Sequence, residues 1–213
     1  MKELLLGILV IIIVGIGGLV YRNAAEHPLQ AIACPLDALQ CPDGTSVART
    51  GTSCTFPACP LPNVSLPDIG IAFAIPAGFN AAEIPDAASV AAYENPTAAS
   101  TSIARIIIRR YMVDASSTPL ATMQQTAIGT PSGLPVGTTS FTSTDIENNR
   151  FSIASIERFE GVIDTAYYLK RGTDVLRFDA IDENANWTDA NLNITALPAH
   201  AALLKLLGTL QAQ

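Results

Sequence analysis

The side chains that most often carry out proton transfer are scarce in this sequence. It has two histidines, His27 and His200, and neither lies in a pattern that would form a Ser-His-Asp or Cys-His relay. We expect His200 to be a solvated residue in the first turn of a helix. The nucleophile elbow, the P-loop, the dinucleotide-binding fingerprint and the H-E-x-x-H zinc motif do not occur in the sequence. No catalytic residue is therefore predicted.

Carboxylates are more numerous and could act in pairs as general acid and general base. A group of them lies on or near a predicted run of strands: Asp164, Asp174, Asp179, Asp182 and Glu183. Charged residues that alternate along strands usually form the solvated face of a sheet, and we expect that arrangement here.

The sharpest candidate for a metal site is the stretch 182–186, which places oxygen ligands at the first, third and fifth positions of a calcium-binding loop. The sixth position is Trp187, where a glycine would permit the tight turn. The twelfth is Asn193, where a glutamate would close the coordination shell. We therefore predict no metal site and no cofactor, and we expect Trp187 to pack onto the core.

Arg105, Arg109 and Arg110 form the single basic cluster in a chain whose formal net charge is -7, with twelve Lys and Arg residues in total. In a strand, Arg105 and Arg109 share one face and Arg110 points to the other. They could receive an acidic partner, but pairing with nearby carboxylates is favoured. So acidic a chain is not expected to bind nucleic acid.

All four cysteines lie in residues 34–60, which we call the cysteine module: Cys34, Cys41, Cys54 and Cys59. So short a segment encloses little apolar surface, and two disulfides are expected to replace a core. Three pairings are possible. We favour Cys34–Cys54 with Cys41–Cys59, because interleaved bridges hold both ends of the module. A zinc site would need two close cysteine pairs, and the spacing provides one at most.

The remaining elements must position these residues. Alternating or β-branched patterns predict strands, and short turn signals between the later ones predict antiparallel neighbours. The predicted strands are 69–75, 89–94, 103–113 (the central one), 136–143, 151–159, 162–170 and 174–181. Thr118-Pro119 starts a short helix, and leucines at helical spacing after Pro198 predict a closing helix that packs on the sheet. The fold class is predicted as α+β, an antiparallel sheet flanked by helices.

The amino terminus carries an uncharged run of 17 residues, 4–20, which is at the lower limit for a membrane-spanning helix. An uncleaved anchor over 1–22 is favoured over a cleaved signal peptide. Because the cysteines imply an oxidising compartment, the expectation is a single-pass membrane protein with an extracytoplasmic carboxyl-terminal domain. The predicted order is the anchor 1–22, the module 34–60, a proline-rich linker 61–67 and a domain over 68–213.

Two resemblances extend this organisation. The order of elements, with Phe73-Ala74-Ile75-Pro76-Ala77-Gly78-Phe79 at the first strand, resembles the PsbP and Mog1-like family over about residues 69–212. That resemblance implies an α/β/α sandwich that binds partners and carries over no catalytic residue. The cysteine module resembles a short module of uncharacterised exported bacterial proteins, which supports a bacterial envelope location.

The function expected from the sequence is that of a membrane-anchored, extracytoplasmic binding or accessory protein, not an enzyme, whose partner is another envelope component. One alternative is a small-ligand-binding protein or hydrolytic enzyme that uses a cleft between the sheet and the closing helix. A second alternative is a protease inhibitor in which a disulfide-fixed loop, residues 47–50, presents Arg49.

Overall fold

The computed structural model describes residues 2–26, 34–41, 46–59, 62–96, 103–129 and 133–213. His27, the last residue of the cysteine module, Pro60, and the first residue of the predicted linker, Leu61, lie outside these ranges. The chain divides into two compact units. The first comprises Met1–Leu39 and Val47–Pro57, and the second comprises Gln40–Ser46 and Ala58–Gln213.

The described residues form three α-helices and fourteen strands, numbered in chain order. The helices are α1 (Lys2–Glu26), α2 (Pro119–Thr126) and α3 (Pro198–Gly208). The strands are β1 (Ala38–Gln40), β2 (Ser46–Ala48), β3 (Val64–Leu66), β4 (Ile71–Phe73), β5 (Asn80–Ala81), β6 (Ser89–Pro96), β7 (Ile103–Met112), β8 (Ile128–Gly129), β9 (Leu134–Pro135), β10 (Thr142–Ile146), β11 (Asn149–Phe159), β12 (Val162–Arg171), β13 (Asp174–Asp182) and β14 (Gln211–Ala212).

The predicted membrane anchor is not supported. Among the helices of the described residues, none combines the length and the apolar character that crossing a bilayer requires. The apolar run 4–20 within α1 rises only about 26 Å at 1.5 Å per residue, short of the roughly 30 Å of hydrocarbon. The assignment of 1–22 as an anchor, and with it the location as a single-pass membrane protein, is therefore wrong.

The cysteine module contains the two predicted disulfides, in the favoured pairing. Cys34 is bonded to Cys54 within the first unit, and Cys41 to Cys59 within the second. In the first unit the guanidinium of Arg49 makes two hydrogen bonds to the carboxylate of Asp37, at 2.8 and 3.0 Å, and a third to the carbonyl of Cys54. The disulfide and these polar contacts together stabilise the first unit, as a hydrophobic core stabilises a larger domain.

The second unit is built on a seven-stranded antiparallel sheet in the order β10-β11-β12-β13-β7-β6-β5. The turns between the long strands are tight. Glu160 and Gly161, which join β11 to β12, both have positive φ angles of 51° and 82°, as a two-residue hairpin turn requires. Connections this short impose the antiparallel arrangement that the sequence predicts.

One face of this sheet, which we call the apolar face, packs against α3. It presents alternate residues of each strand, with Ile106, Ile108, Phe151 and Phe178 all fully buried. From α3, Leu203, Leu206 and Leu207 close the same cluster. The predicted closing helix and its packing on the sheet are confirmed.

The first predicted strand does not belong to the large sheet. β4 pairs with β3 on one side and with β14, at the chain end, on the other. Residues 136–143 are not a strand: they contain a turn of 3-10 helix at Thr138–Ser140 and only the start of β10. The central strand of the large sheet is β13, and β7 lies beside it.

The predicted α+β class is wrong for this molecule. Strand accounts for 42% of the structure and helix for 23%, and outside α1 the two α-helices have only 8 and 11 residues. Because the long strands are joined by tight turns, little chain is left to form helical layers on both faces. The second unit is a sheet-rich fold with one helix on the apolar face, and not a clear helix-flanked sandwich.

Candidate functional site

The opposite face of the sheet, which we call the polar face, carries buried charges at its centre. β7 contributes Arg109, β13 contributes Arg177 and Asp179, and β12 contributes Asp164. These side chains share a face because their positions alternate with those of the apolar face. Asp179 has no exposed surface, Arg177 retains 6% and Asp164 retains 9%.

Asp179 is the hub of this network. One of its carboxylate oxygens accepts a hydrogen bond from Arg177 Nε at 2.5 Å, and the other accepts one from Arg109 Nη1. Arg177 also donates to the carbonyl oxygen of Thr126, the last residue of α2, at 2.6 Å. Burial acts to lower the pKa of Arg177, but the charge of Asp179 contributes most to raising it above its ordinary value. The network therefore joins three strands to the end of α2.

Asp164 is the member of the network that is poorly satisfied. Its Oδ2 lies 3.7 Å from Arg177 Nη2, and its Oδ1 is buried with no hydrogen-bond partner among the described residues. Burial, followed by the charge of Asp179, raises the pKa of Asp164 well above its ordinary value. Two arginines are already balanced by Asp179 and Asp86, so a charge on Asp164 would be unneutralised.

The network extends through Arg109 to a loop at the sheet edge. Residues 82–88, which we call the Ile84 loop, connect β5 to β6. Asp86 Oδ2 accepts a hydrogen bond from Arg109 Nε at 3.0 Å. Its Oδ1 accepts from the backbone N–H groups of Ala88 and Ser89 and from the hydroxyl of Ser89. Burial acts to raise the pKa of Asp86, but the Ser89 and Arg109 hydrogen bonds hold it below its ordinary value.

Two clefts meet at Ile84, whose side chain is 52% exposed. The first, the acidic cleft, has a volume of about 390 Å³. Its lining residues are Ala82, Glu83, Ile84, Pro85, Glu94 and Arg105. The second, the apolar cleft, has a volume of about 320 Å³. Its lining residues are Leu66, Pro67, Asp68, Ile69, Ile84, Ser89 and Val90.

The acidic cleft carries an excess of negative charge. Arg105, its one cation, lies 3.6 Å from the carboxylate of Glu183. Within the part of the chain that the structure describes, the side-chain carboxylates of Glu83 and Glu94 accept no hydrogen bond and form no ion pair. A fixed loop with an exposed apolar side chain between a charged and an apolar cleft is typical of a recognition surface.

The carboxylates singled out in the sequence are not a solvated face, and that expectation is wrong. Asp164, Asp174, Asp179 and Asp182 are all buried. They do not form one site, because Asp174 and Asp182 lie on the apolar face while Asp164 and Asp179 lie on the polar face. Asp174 pairs with Arg110 at 2.6 Å and with Arg171 at 2.5 Å. The expected pairing of the arginine cluster with carboxylates is confirmed.

His200 is not a solvated residue. It is 4% exposed, and its Nε2 lies 2.7 Å from the hydroxyl of Tyr167. Asp182 accepts hydrogen bonds from the backbone N–H groups of Ala199 at 2.7 Å and His200 at 3.3 Å. Burial lowers the pKa of His200 and raises that of Asp182. Both residues therefore hold α3 on the sheet.

The calcium-loop residues and Arg49 have other roles. Because Asp182 caps α3, it is not available as the first ligand of a loop over 182–193. Trp187 does not pack on the core: its ring lies at a tilted angle against that of Phe159, with ring centroids 5.6 Å apart, at the end of β11. The guanidinium of Arg49 is held by Asp37 and lies 4.1 Å above the ring of Phe56.

Sequence reasoning missed the Ile84 loop. Pro85-Asp86 carries a turn signal, but no local pattern indicates that Asp86 binds Arg109 on another strand. Comparison with known proteins adds no assignment, because no protein-family model and no curated protein matches the chain. The resemblance to the PsbP and Mog1-like family stays a prediction.

Proposed function

We propose that the chain is a non-enzymatic binding or accessory protein that recognises a partner at the two clefts around Ile84. The observation that carries the proposal is the fixed position of the Ile84 loop. Asp86 makes four hydrogen bonds that hold this loop, and one of them comes from Arg109 in the buried network. A surface fixed in advance loses little conformational entropy when a partner binds.

The buried network favours binding over catalysis. Arg109 and Arg177 are committed to Asp179, and Asp164 lies beneath the sheet surface with 9% of its area exposed. A general acid or base must reach the proton that it transfers.

The two disulfides favour an oxidising compartment, so the partner is expected to be another component of that compartment.

The alternatives have less support. The clefts lie at the sheet edge and not between the sheet and α3, where buried leucines fill the space. An inhibitor that presents Arg49 would need its guanidinium free to enter a protease pocket. That guanidinium is engaged with Asp37, Cys54 and Phe56.

Site-specific photo-crosslinking in the native host tests the proposal. A photo-reactive amino acid replaces Ile84 in one variant and Ile128 in the other, because Ile128 is 47% exposed and does not line either cleft. A discrete adduct at position 84 that is absent at position 128 is the expected result. Equal adducts at both positions, or none at position 84, would contradict a recognition site there.

A further inference from the structure

The two clefts differ in chemistry although they share one residue. The acidic cleft has two carboxylates, Glu83 and Glu94, and one arginine already paired with Glu183. The lining of the apolar cleft is apolar except for Asp68 and Ser89. A ligand that fills both must therefore present a cationic group and an apolar group close together.

Their sizes restrict the occupant further. At about 390 and 320 Å³, each cleft is at the lower end of the roughly 300–1,000 Å³ range of small-molecule sites. Two small adjoining clefts suit two neighbouring side chains better than one large rigid cofactor. Anionic ligands such as nucleotides are disfavoured, because Glu83 and Glu94 would repel them.

We propose that the partner at this site is a protein segment in which a large apolar residue lies beside a Lys or Arg. The apolar side chain enters the cleft lined by Ile69 and Val90, and the cation lies between Glu83 and Glu94. Ile84 contacts both side chains. This proposal rests on the proposed function, since it names the class of partner that the same site binds.

Methyl NMR of the full chain, labelled at isoleucine methyl groups and with both disulfides intact, tests the proposal with defined peptides. The first probe is a capped Gly-Gly-Leu-Lys-Gly-Gly peptide, and the second carries Glu in place of Lys. The Lys peptide should shift the methyl signals of Ile84 and Ile69 saturably at millimolar concentration. Ile128 is the internal control and should not shift, because it does not line either cleft.

The charge requirement is tested by a double variant, Glu83→Gln with Glu94→Gln. It should weaken the Lys peptide about five-fold, the effect expected for exposed ion pairs, and should leave the Glu peptide unchanged. High salt should reduce the difference between the two peptides. Unchanged positions of the buried Ile106 and Ile108 signals would show that the variant keeps its fold.

Equal affinity for the two peptides, or no shift of Ile84 with either, would overturn the proposed partner class. The recognition site itself would still stand if a photo-reactive residue at position 84 captures a discrete partner. Loss of the crosslink would instead overturn the recognition site. The two experiments therefore fail separately.

Discussion

Strand β13 places two neighbouring residues, Phe178 and Asp179, on opposite faces of the same sheet, and both have no exposed surface. Phe178 packs edge-on against Phe151, with ring centroids 6.2 Å apart. Asp179 is enclosed by the guanidinium groups of Arg109 and Arg177. Equal burial is therefore reached by apolar packing on one face and by charge pairing on the other.

Apolar packing and charge pairing contribute differently to the stability and to the geometry of the protein. Apolar burial stabilises a fold in proportion to area, at roughly 25 cal/mol per Å². A buried ion network gains little net free energy, because desolvation of the charges offsets their attraction. The network instead fixes the position of the Ile84 loop, because directional hydrogen bonds connect this loop to the end of α2. The apolar face supplies stability, and the polar face orients the recognition surface.

The largest effect is expected on the apolar face. Phe178→Ala should reduce the free energy of unfolding by about 4 kcal/mol, because it removes a fully buried ring and leaves a cavity. Denaturant unfolding of the full chain measures the loss. Phe159→Ala is the matched control: Phe159 is 36% exposed, so its loss should be clearly smaller. Equal losses for the two variants would show that the α3 side is not the main source of stability.

On the polar face, Asp179→Asn should cost about 3 kcal/mol, because Arg109 keeps Asp86 as a partner but Arg177 is left with an uncompensated buried charge. Asp145→Asn on the exposed strand β10 is the control and should stay within about 0.5 kcal/mol of the parent. A distinctive readout is the methyl signal of Ile84. It should move in Asp179→Asn and remain in place in Phe178→Leu. Unchanged Ile84 signals in Asp179→Asn would show that the network does not position the loop.

Local patterns predicted much of this framework from the sequence. The run Ile106-Ile107-Ile108 specifies a strand buried on both faces, and Thr118-Pro119 specifies the start of α2, where Thr118 Oγ1 accepts from the N–H of Ala121. Glu160-Gly161 specifies a hairpin turn. Each of these signals lies within a few residues of the structure that it determines.

The candidate site depends on contacts that no local pattern encodes. Alternation showed that Arg105 and Arg109 share a face, but it could not show that α2 and the Ile84 loop cover part of that face. Asp86 and Arg109 are 23 positions apart, and Arg109 and Asp179 are 70 apart. The same limit explains why the carboxylates were expected in solvent: a charged residue in a strand is usually exposed, and here distant arginines offset its burial.

A smaller loss of stability is expected when Asp182, which caps α3 on the apolar face, is replaced. Asp182→Ala should cost about 1.5 kcal/mol, because α3 lacks a capping side chain at Leu197 and Asp182 accepts its first free N–H groups instead. Thermal unfolding combined with hydrogen exchange of the α3 amides measures this. We expect the loss of hydrogen-exchange protection to be confined to the amides of α3. A uniform loss of protection across the sheet would contradict a capping role.

The pH dependence of stability that Asp164 and Asp174 produce best separates the two faces. The pKa of Asp164 is raised by burial and by Asp179, so its contribution to stability is complete below the ordinary value of 3.8 and is lost as pH rises through the folded-state pKa. Burial acts to raise the pKa of Asp174, but hydrogen bonds from Arg171 and Arg110 hold it below that value. Its contribution is therefore present above 3.8 and is lost as pH falls through the folded-state pKa.

The two asparagine variants should consequently diverge with pH in opposite directions. Asp164→Asn cannot ionise, so its free energy of unfolding should rise relative to that of the parent from about pH 5 to about pH 8. Asp174→Asn loses two arginine partners, so it should be destabilised near neutral pH and approach the parent as the pH falls. Urea unfolding measures the differences, from about pH 5 to about pH 8 for Asp164→Asn and from neutral pH down to below 3.8 for Asp174→Asn. If the Asp164→Asn difference does not change with pH, Asp164 ionises normally in the folded protein, and the polar face carries one more negative charge than its arginines balance.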